Sequence, residues 1–435
     1  MGSTETAVST SSERKVKAAS APLQILLFRL ANDADVAPLE DAIVRAFQGG
    51  KDAEGYLANG ADLGVAPQLF DAAPPISVKD KLDASCHTVV LVLVSQAFQA
   101  FLEKGRSDST DPNTKEVIEN SRRLLAWLSE CWDHVRGSKK RHQMLAIPLE
   151  EGLARRFLAF KQLQSLQVRP IQELGEFALR PTMLALLALH ESRRVLALPL
   201  QGEPKKPDDP PYGYLRLFIS HAKIDGLPLA HSLRYLIKSI KWLEAFYDVD
   251  DLPEGSDWAL ELERGVASSL IIVLRTEVYD SRYWCQQEVI WSDRYCTPAV
   301  LVDARTALNH EASTLPFARL PIARVPDGNL MRILSMALRE GLRFLLFARS
   351  VEEMKQTGML PPSVQLRVFS YAPSMRALLF ACRSLAAKAE QEAKQFILYP
   401  DPPLGEGEYE AALALVAEHA PKAKLLTPQT LATSV

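Results

Sequence analysis

No stretch of this 435-residue chain is apolar over the ~20 residues that a membrane-spanning helix needs. Its longest apolar runs, "TVVLVLV" (88–94) and "MLALLAL" (183–189), are the size of core elements. Paired cysteines are also lacking. The five present (Cys86, Cys131, Cys285, Cys296, Cys382) are odd in number and scattered, with no CxxC among them. That excludes a disulfide framework and a zinc knuckle, and it fits a reducing cytoplasm. Charge of one sign is scarce as well: the net value of -3 gives no general electrostatic reason to expect nucleic acid or an anionic membrane as partner. The basic cluster "RGSKKRH" (136–142) reads as a solvated loop. Residues 1–20 are rich in Ser and Thr and lack an apolar h-region, so they read as a disordered tail rather than a signal peptide.

What is present, 47% hydrophobic and 24% charged residues, is ordinary globular composition, and the length allows two to four domains. The clearest break is "QGEPKKPDDPPYG" (201–213), a Pro- and Gly-rich linker. Beyond it, "YLRLFIS" (214–220), "KWLEAFYD" (241–248), "LIIVLR" (270–275) and "PAVLVD" (298–303) read as strands. Helical patterns separate them at 227–240, 257–269 and 283–295. Strands alternating with helices predict a parallel sheet covered on both faces, with ligands outside the carboxyl ends of the strands. Residues 21–200 repeat this rhythm more loosely, with strands at 23–30, 88–94 and 142–150 and helices at 37–48 and 117–132. Residues 329–435 begin with a long helix and continue as a small alternation of strands and helices. No GxGxxG or GxxxxGK[ST] loop gives that region a phosphate site.

"LRLFISHAKIDG" (215–226), "FYDVDDLPEGSDWALELERGVASSLIIVLR" (246–275) and "SRYWCQQEVIWS" (281–292) together resemble a bacterial Toll/interleukin-1 receptor (TIR) domain. The match spans roughly residues 214–303. The expected architecture is therefore α/β: a flavodoxin-like parallel-sheet TIR domain at 214–328, flanked by a diverged TIR-like domain at 21–200 and a C-terminal helix with a small α/β region at 329–435. The resemblance implies NAD cleavage at the nicotinamide–ribose bond, linear or cyclising, with NAD as substrate and no cofactor. It implies self-association through TIR domains, a small-molecule or protein activator, and a role in antiphage defence or nucleotide signalling. No membrane or nucleic-acid partner is expected. The rival reading is a non-catalytic scaffold that recruits partners by homotypic contacts.

By the same resemblance Glu288 is the catalytic carboxylate, in a W-C-x-x-E arrangement with Trp284 and Cys285. Read without it, a carboxylate in the early turns of a helix is simply favoured by the helix dipole. Trp284 is either an apolar wall of the site or a core anchor, as Trp291 is. Ser220 and His221, at the end of a strand, either contact the ribose and nicotinamide or serve as a cap and a solvated turn residue. Asp248 opens an acidic loop ("DVDDLPEGS") that lacks calcium-loop spacing and corresponds to the family's gating BB loop, residues 249–256. Thr276 follows the third strand and is expected to contact substrate. Cys285 has no His or Asn partner placed by the sequence and is expected to be inert. His221 and His231 have no further ligands at suitable spacing, so no metal site is expected. The N-terminal domain lacks the Trp-Cys pair. Its Glu116 reads as a charged loop residue, which implies a non-catalytic scaffold, sensor or oligomerisation surface.

Overall fold

The structure is a computed structural model. It describes residues 21–49, 63–107, 112–138, 141–160, 163, 166–174, 176–197, 216–240, 242–243, 246–247, 258–305, 322–324, 329–361, 363–369, 371–387 and 394–434. The expected tail 1–20, the linker 201–213, Asp248 and the loop 249–256 lie outside the described residues.

The chain is a mixed α/β protein built on three parallel sheets. The first contains β1 (Ala21–Phe28), β2 (Gln68–Phe70), β3 (Ser85–Val94), β4 (His142–Pro148) and β5 (Gln167–Val168), in the order β2-β1-β3-β4-β5. Its helices are α1 (Ala37–Gln48), α2 (Val78–Asp83), α3 (Gln96–Lys104), α4 (Pro112–Gly137), α5 (Leu153–Leu158) and α6 (Arg180–Ala197). The second sheet repeats the plan with β6 (Leu217–His221), α7 (Leu227–Ser239), β7 (Phe246–Tyr247), α8 (Trp258–Ala267), β8 (Leu270–Arg275), α9 (Tyr283–Tyr295), β9 (Ala299–Asp303), β10 (Ile322–Arg324) and α10 (Leu330–Gln356). Its order is β7-β6-β8-β9-β10. Both sheets thus run 2-1-3-4-5, an order compatible with a flavodoxin-like doubly wound fold. The third sheet, β11 (Gln365–Val368), β12 (Gln395–Leu398) and β13 (Ala423–Leu426), carries α11 (Met375–Ala387), α12 (Glu406–His419) and α13 (Pro428–Ser434).

The period-two side-chain alternation of the strands divides the core. Leu23, Ile25, Leu27, Val89, Leu91 and Leu93 of the first sheet share one apolar cluster with Leu217, Ile219, Leu270, Ile272 and Leu274 of the second. The alternate residues, such as Leu26, Val90 and Val92 or Phe218, Ile271 and Val273, face separate outer clusters. Between the two sheets lie α6 and α10. Every residue from Met183 to Arg193 is buried, which is why the run 183–189 shows no polar face. α10, which the sequence groups with the C-terminal region, spends most of its length here through Ile333, Leu334, Leu338, Leu342 and Leu345. Only near its end does it turn to the third sheet, where Val351 meets Phe396 and Leu398.

The crossing of α6 and α10 depends on Gly341, where a Cβ would stand 2.8 Å from Arg193 Nε and 3.0 Å from Leu270 Cδ1. Without that bare backbone the fully buried Arg193 would have no room. Nearby, Arg349 Nε donates to the Leu196 carbonyl at 2.8 Å, satisfying one of the acceptors that the C-terminus of α6 leaves open.

Departures from the sequence reading have local causes. Of the expected strand 241–248, Phe246–Tyr247 is paired in the sheet and Trp242 and Leu243, outside any strand, are buried in the shared core, while 241, 244, 245 and 248 lie outside the described residues. After β3 the chain forms α3, for which the sequence reading has no element and whose start is capped by Ser95 Oγ accepting from Phe98 N. Its Phe98 and Leu102, four residues apart, supply the buried face. Among the described residues no helix is long and apolar enough to cross a membrane.

Candidate active site

The carboxyl edge of the second sheet is assembled from two turns. After β6 the chain closes a tight turn in which Gly226 N donates to the Ala222 carbonyl at 2.8 Å. A Cβ at Gly226 would lie 2.9 Å from that same oxygen, so the turn requires glycine by close approach. The Asp225 carboxylate then reaches the turn after β8, accepting from Thr276 Oγ1 at 2.7 Å and from Val278 N at 3.2 Å. Asp280 fixes the start of α9: its carboxylate pairs with Arg275 at 2.5 Å, and its carbonyl accepts from Gln286 Nε2 at 2.6 Å. The first two turns of α9 are thereby held against the end of β6.

Between them lies a cleft of about 360 Å³. Its buried lining is Ile219, Ala222, Cys285 and Glu288, and Lys223, Ile224, Arg282 and Tyr283 line it from exposed positions. Trp284 and Trp258 meet edge to face, ring centroids 4.5 Å apart, and both line the cleft. Cleft volume, aromatic walls and few polar groups are the features of a small-molecule site.

Glu288 is 6% exposed and accepts a hydrogen bond from Ser220 Oγ. The Tyr279 hydroxyl stands 2.5 Å from Ser220 Oγ and 3.5 Å from the Cys285 carbonyl, itself fully buried. Burial pushes the Glu288 carboxyl up to about 8, only partly opposed by the Ser220 hydroxyl. Burial, and then the nearby Glu288 charge, raises Tyr279 well above its ordinary value. At neutral pH the carboxyl is therefore mostly protonated, and its O–H donates towards Ser220. When it ionises, the hydroxyl reverses and donates to the carboxylate. Ser220 and Tyr279 form a short chain that can serve either state. Burial and Glu288 also push the Cys285 thiol up to about 12, which leaves no thiolate to act as a nucleophile.

Of the residues singled out from sequence, Ser220, His221, Trp284 and Glu288 come together here. Ser220 is not a helix cap, for Gly226 precedes α7 and the serine side chain is spent on Glu288. His221 lines the cleft, with Nδ1 3.3 Å from the Ile219 carbonyl. Trp284 is 37% exposed in the cleft wall, whereas Trp291, at 9%, is packed in the core. Thr276 does not line the cleft. Its hydroxyl is committed to Asp225, so it braces the two turns rather than facing a ligand. Asp248 lies outside the described residues. In the first sheet, Glu116 is exposed on α4. Sequence reasoning missed Tyr279, Asp225 and Trp258, because their contacts cross 59, 51 and 26 positions and leave no local pattern.

Ser220→Ala removes the one hydrogen bond that lowers the Glu288 pKa. The carboxyl is expected to titrate above about 8 in the variant, read from its infrared carboxylic-acid band across pH. A shift towards acid would contradict the hydroxyl's role. The Tyr279 hydroxyl, left with the Cys285 carbonyl 3.5 Å away, loses its shorter hydrogen bond, which should also cost about 1 kcal/mol of stability.

No protein-family model matches the chain, and no curated protein matches it. Among solved structures, the tagatose-6-phosphate ketose/aldose isomerase from Escherichia coli aligns with 74% of this chain and 82% of that chain at 13% identity, with a TM-score of 0.18. A likeness at that level carries no argument about fold or function.

Proposed function

We propose that the cleft binds NAD and cleaves its nicotinamide–ribose bond, and that the second sheet with its helices is a TIR-type domain. One observation carries this reading: a single buried carboxyl, Glu288, lines an aromatic cleft at the carboxyl edge of a parallel sheet. The chemistry asks for little more. Nicotinamide leaves as a neutral molecule from a cationic substrate and needs no general acid, so the second carboxylic acid of ordinary glycosidases has no task here. The site must supply negative charge near the ribose as positive charge develops on it, in surroundings that exclude water. The cationic substrate itself favours ionisation of Glu288, so the charge arises when the ligand arrives. Trp284 and Trp258 offer flat apolar surface to the nicotinamide or the ribose face. Lys223 and Arg282, exposed on the same cleft, suit the diphosphate.

The first sheet, of the same strand order, fits a diverged, non-catalytic copy of the same fold that scaffolds, senses a ligand or drives assembly. The biological setting consistent with this reading is a cytoplasmic NAD-consuming device in antiphage defence or nucleotide signalling, switched on by self-association or by an activator. A scaffold without catalysis is the second reading. Ile224 and Tyr235, 68% and 79% exposed, favour it, because apolar side chains so open suit a protein contact.

The test is chromatography of NAD incubated with the full chain over a range of protein concentrations. Nicotinamide release that climbs faster than protein concentration supports an enzyme activated by assembly. Self-association with neither NAD consumption nor NAD binding would turn the assignment to the scaffold.

A further inference from the structure

At the opposite, amino-terminal edge of the first sheet, three side chains from separate elements converge. Asp83 ends α2, His134 lies in the last turn of α4, and His142 opens β4. Each offers one ligating atom, and the three atoms lie within 4.8 Å of one another. His134 Nε2 stands 4.0 Å from Asp83 Oδ1, and the two imidazoles are 5.9 Å apart between centroids. His142 is 4% exposed, and its Nδ1 is buried without a hydrogen-bond partner among the described residues. A buried imidazole nitrogen left so is costly unless something unseen satisfies it.

We propose that Asp83, His134 and His142 form a site for a divalent transition-metal ion, best suited to Zn²⁺, with water completing the coordination. Two imidazoles and one carboxylate are a ligand set for borderline ions, whereas Ca²⁺ and Mg²⁺ select oxygen alone. Ligands about 2.1 Å from a tetrahedral ion stand about 3.4 Å apart, so the cluster must contract by about an ångström. His134 and Asp83 have the freedom to do this, with side chains 31% and 51% exposed. Their exposure also provides the entry path. The ion would sit where α2 and α4 both end, against the negative poles of two helices. Arg141 opposes it. The expectation of no metal rested on the lack of local ligand spacing; here the ligands come from three elements, which no such spacing reveals.

The site stands apart from the Glu288 cleft and from the NAD reading. Its role is to pin the end of α4 to β4, and the ion should stabilise the protein by mass action. The test uses the chelator-treated full chain titrated with Co²⁺, a coloured probe for Zn²⁺. One equivalent is expected to bind with the visible band of a low-coordinate site. Zn²⁺ should displace it and raise the melting temperature, while Mg²⁺ should do neither. Asp83→Asn and His134→Ala, both at partly exposed positions, should each weaken binding by about tenfold or more. His231→Ala, at an exposed histidine elsewhere, should leave it unchanged. Absence of the Co²⁺ band, or binding undiminished in Asp83→Asn and His134→Ala, would overturn the proposal.

Discussion

Glu288→Gln is expected to reduce nicotinamide release by about 10³-fold, the scale on which removing a charge-stabilising group from a preorganised site acts. The glutamine keeps the size and a hydrogen bond to Ser220, so NAD binding should change little and the loss should fall on kcat. The same substitution should alter stability with the opposite sign. Burial raises the folded-state pKa of Glu288 to about 8 from its ordinary 4.5. A group raised in this way contributes stability fully below the unfolded value and loses it as pH climbs through the folded value. Between pH 4.5 and 8 the wild type therefore surrenders stability on the order of 4 kcal/mol, at about 1.4 kcal/mol per pKa unit. The glutamine variant has no charge to bury. Its melting temperature should match the wild type near pH 5 and exceed it by several degrees at pH 9. The wild-type kcat/KM should rise through about pH 8 as the carboxyl ionises. A variant that loses stability at every pH would show that Glu288 is structural, and a flat pH–rate profile would remove it from the chemistry.

Ending the chain before α10 should prevent both five-stranded sheets from folding. The helix contributes Ile333, Leu334, Ala337, Leu338, Leu342 and Leu345 to the core that the sheets share, and each is fully buried. Loss of one such leucine costs about 2–5 kcal/mol. The loss of all of them exceeds the roughly 5–15 kcal/mol by which a protein of ordinary stability is folded. A chain ending at residue 328 should show no cooperative thermal transition, whereas one ending at residue 361 keeps the shared core and should show a lowered one. A cooperative transition in the shorter chain, with a folded first sheet, would mean that the sheets are independent.

The legible part of this fold is the part set by local pattern. Continuous apolar runs marked β3, β6, β8 and β9, and the helical pattern "YWCQQEVIWSDRY" (283–295) matches α9 to the residue. Strands of two or three residues, β2, β5 and β10, carry too few side chains to show a period. The pairing of α6 with α10 was not legible either. An amphipathic or wholly apolar helix declares that it is covered, and nothing in its spacing says by what. In the site, Trp284 and Glu288 were singled out by the family resemblance, and their helical spacing, four residues apart, puts them on one face. Tyr279 was not, since only the fold brings its hydroxyl to Ser220. Thr276 was assigned to substrate from its place after a strand, and Asp225, reached across the fold, claims it.

The shared core also dictates the order in which the molecule can be completed. A ribosome releases α6, ending at Ala197, well before it begins α10 at Leu330. At about 5–20 residues per second the inner face of the first sheet, already lined by α1 and α6, waits many seconds for α10. During that interval the nascent chain presents an apolar surface to every other newly made copy on the same message. Synthesis itself thus imposes a window in which chaperone holdases, or premature pairing between neighbouring chains, compete with the native closure.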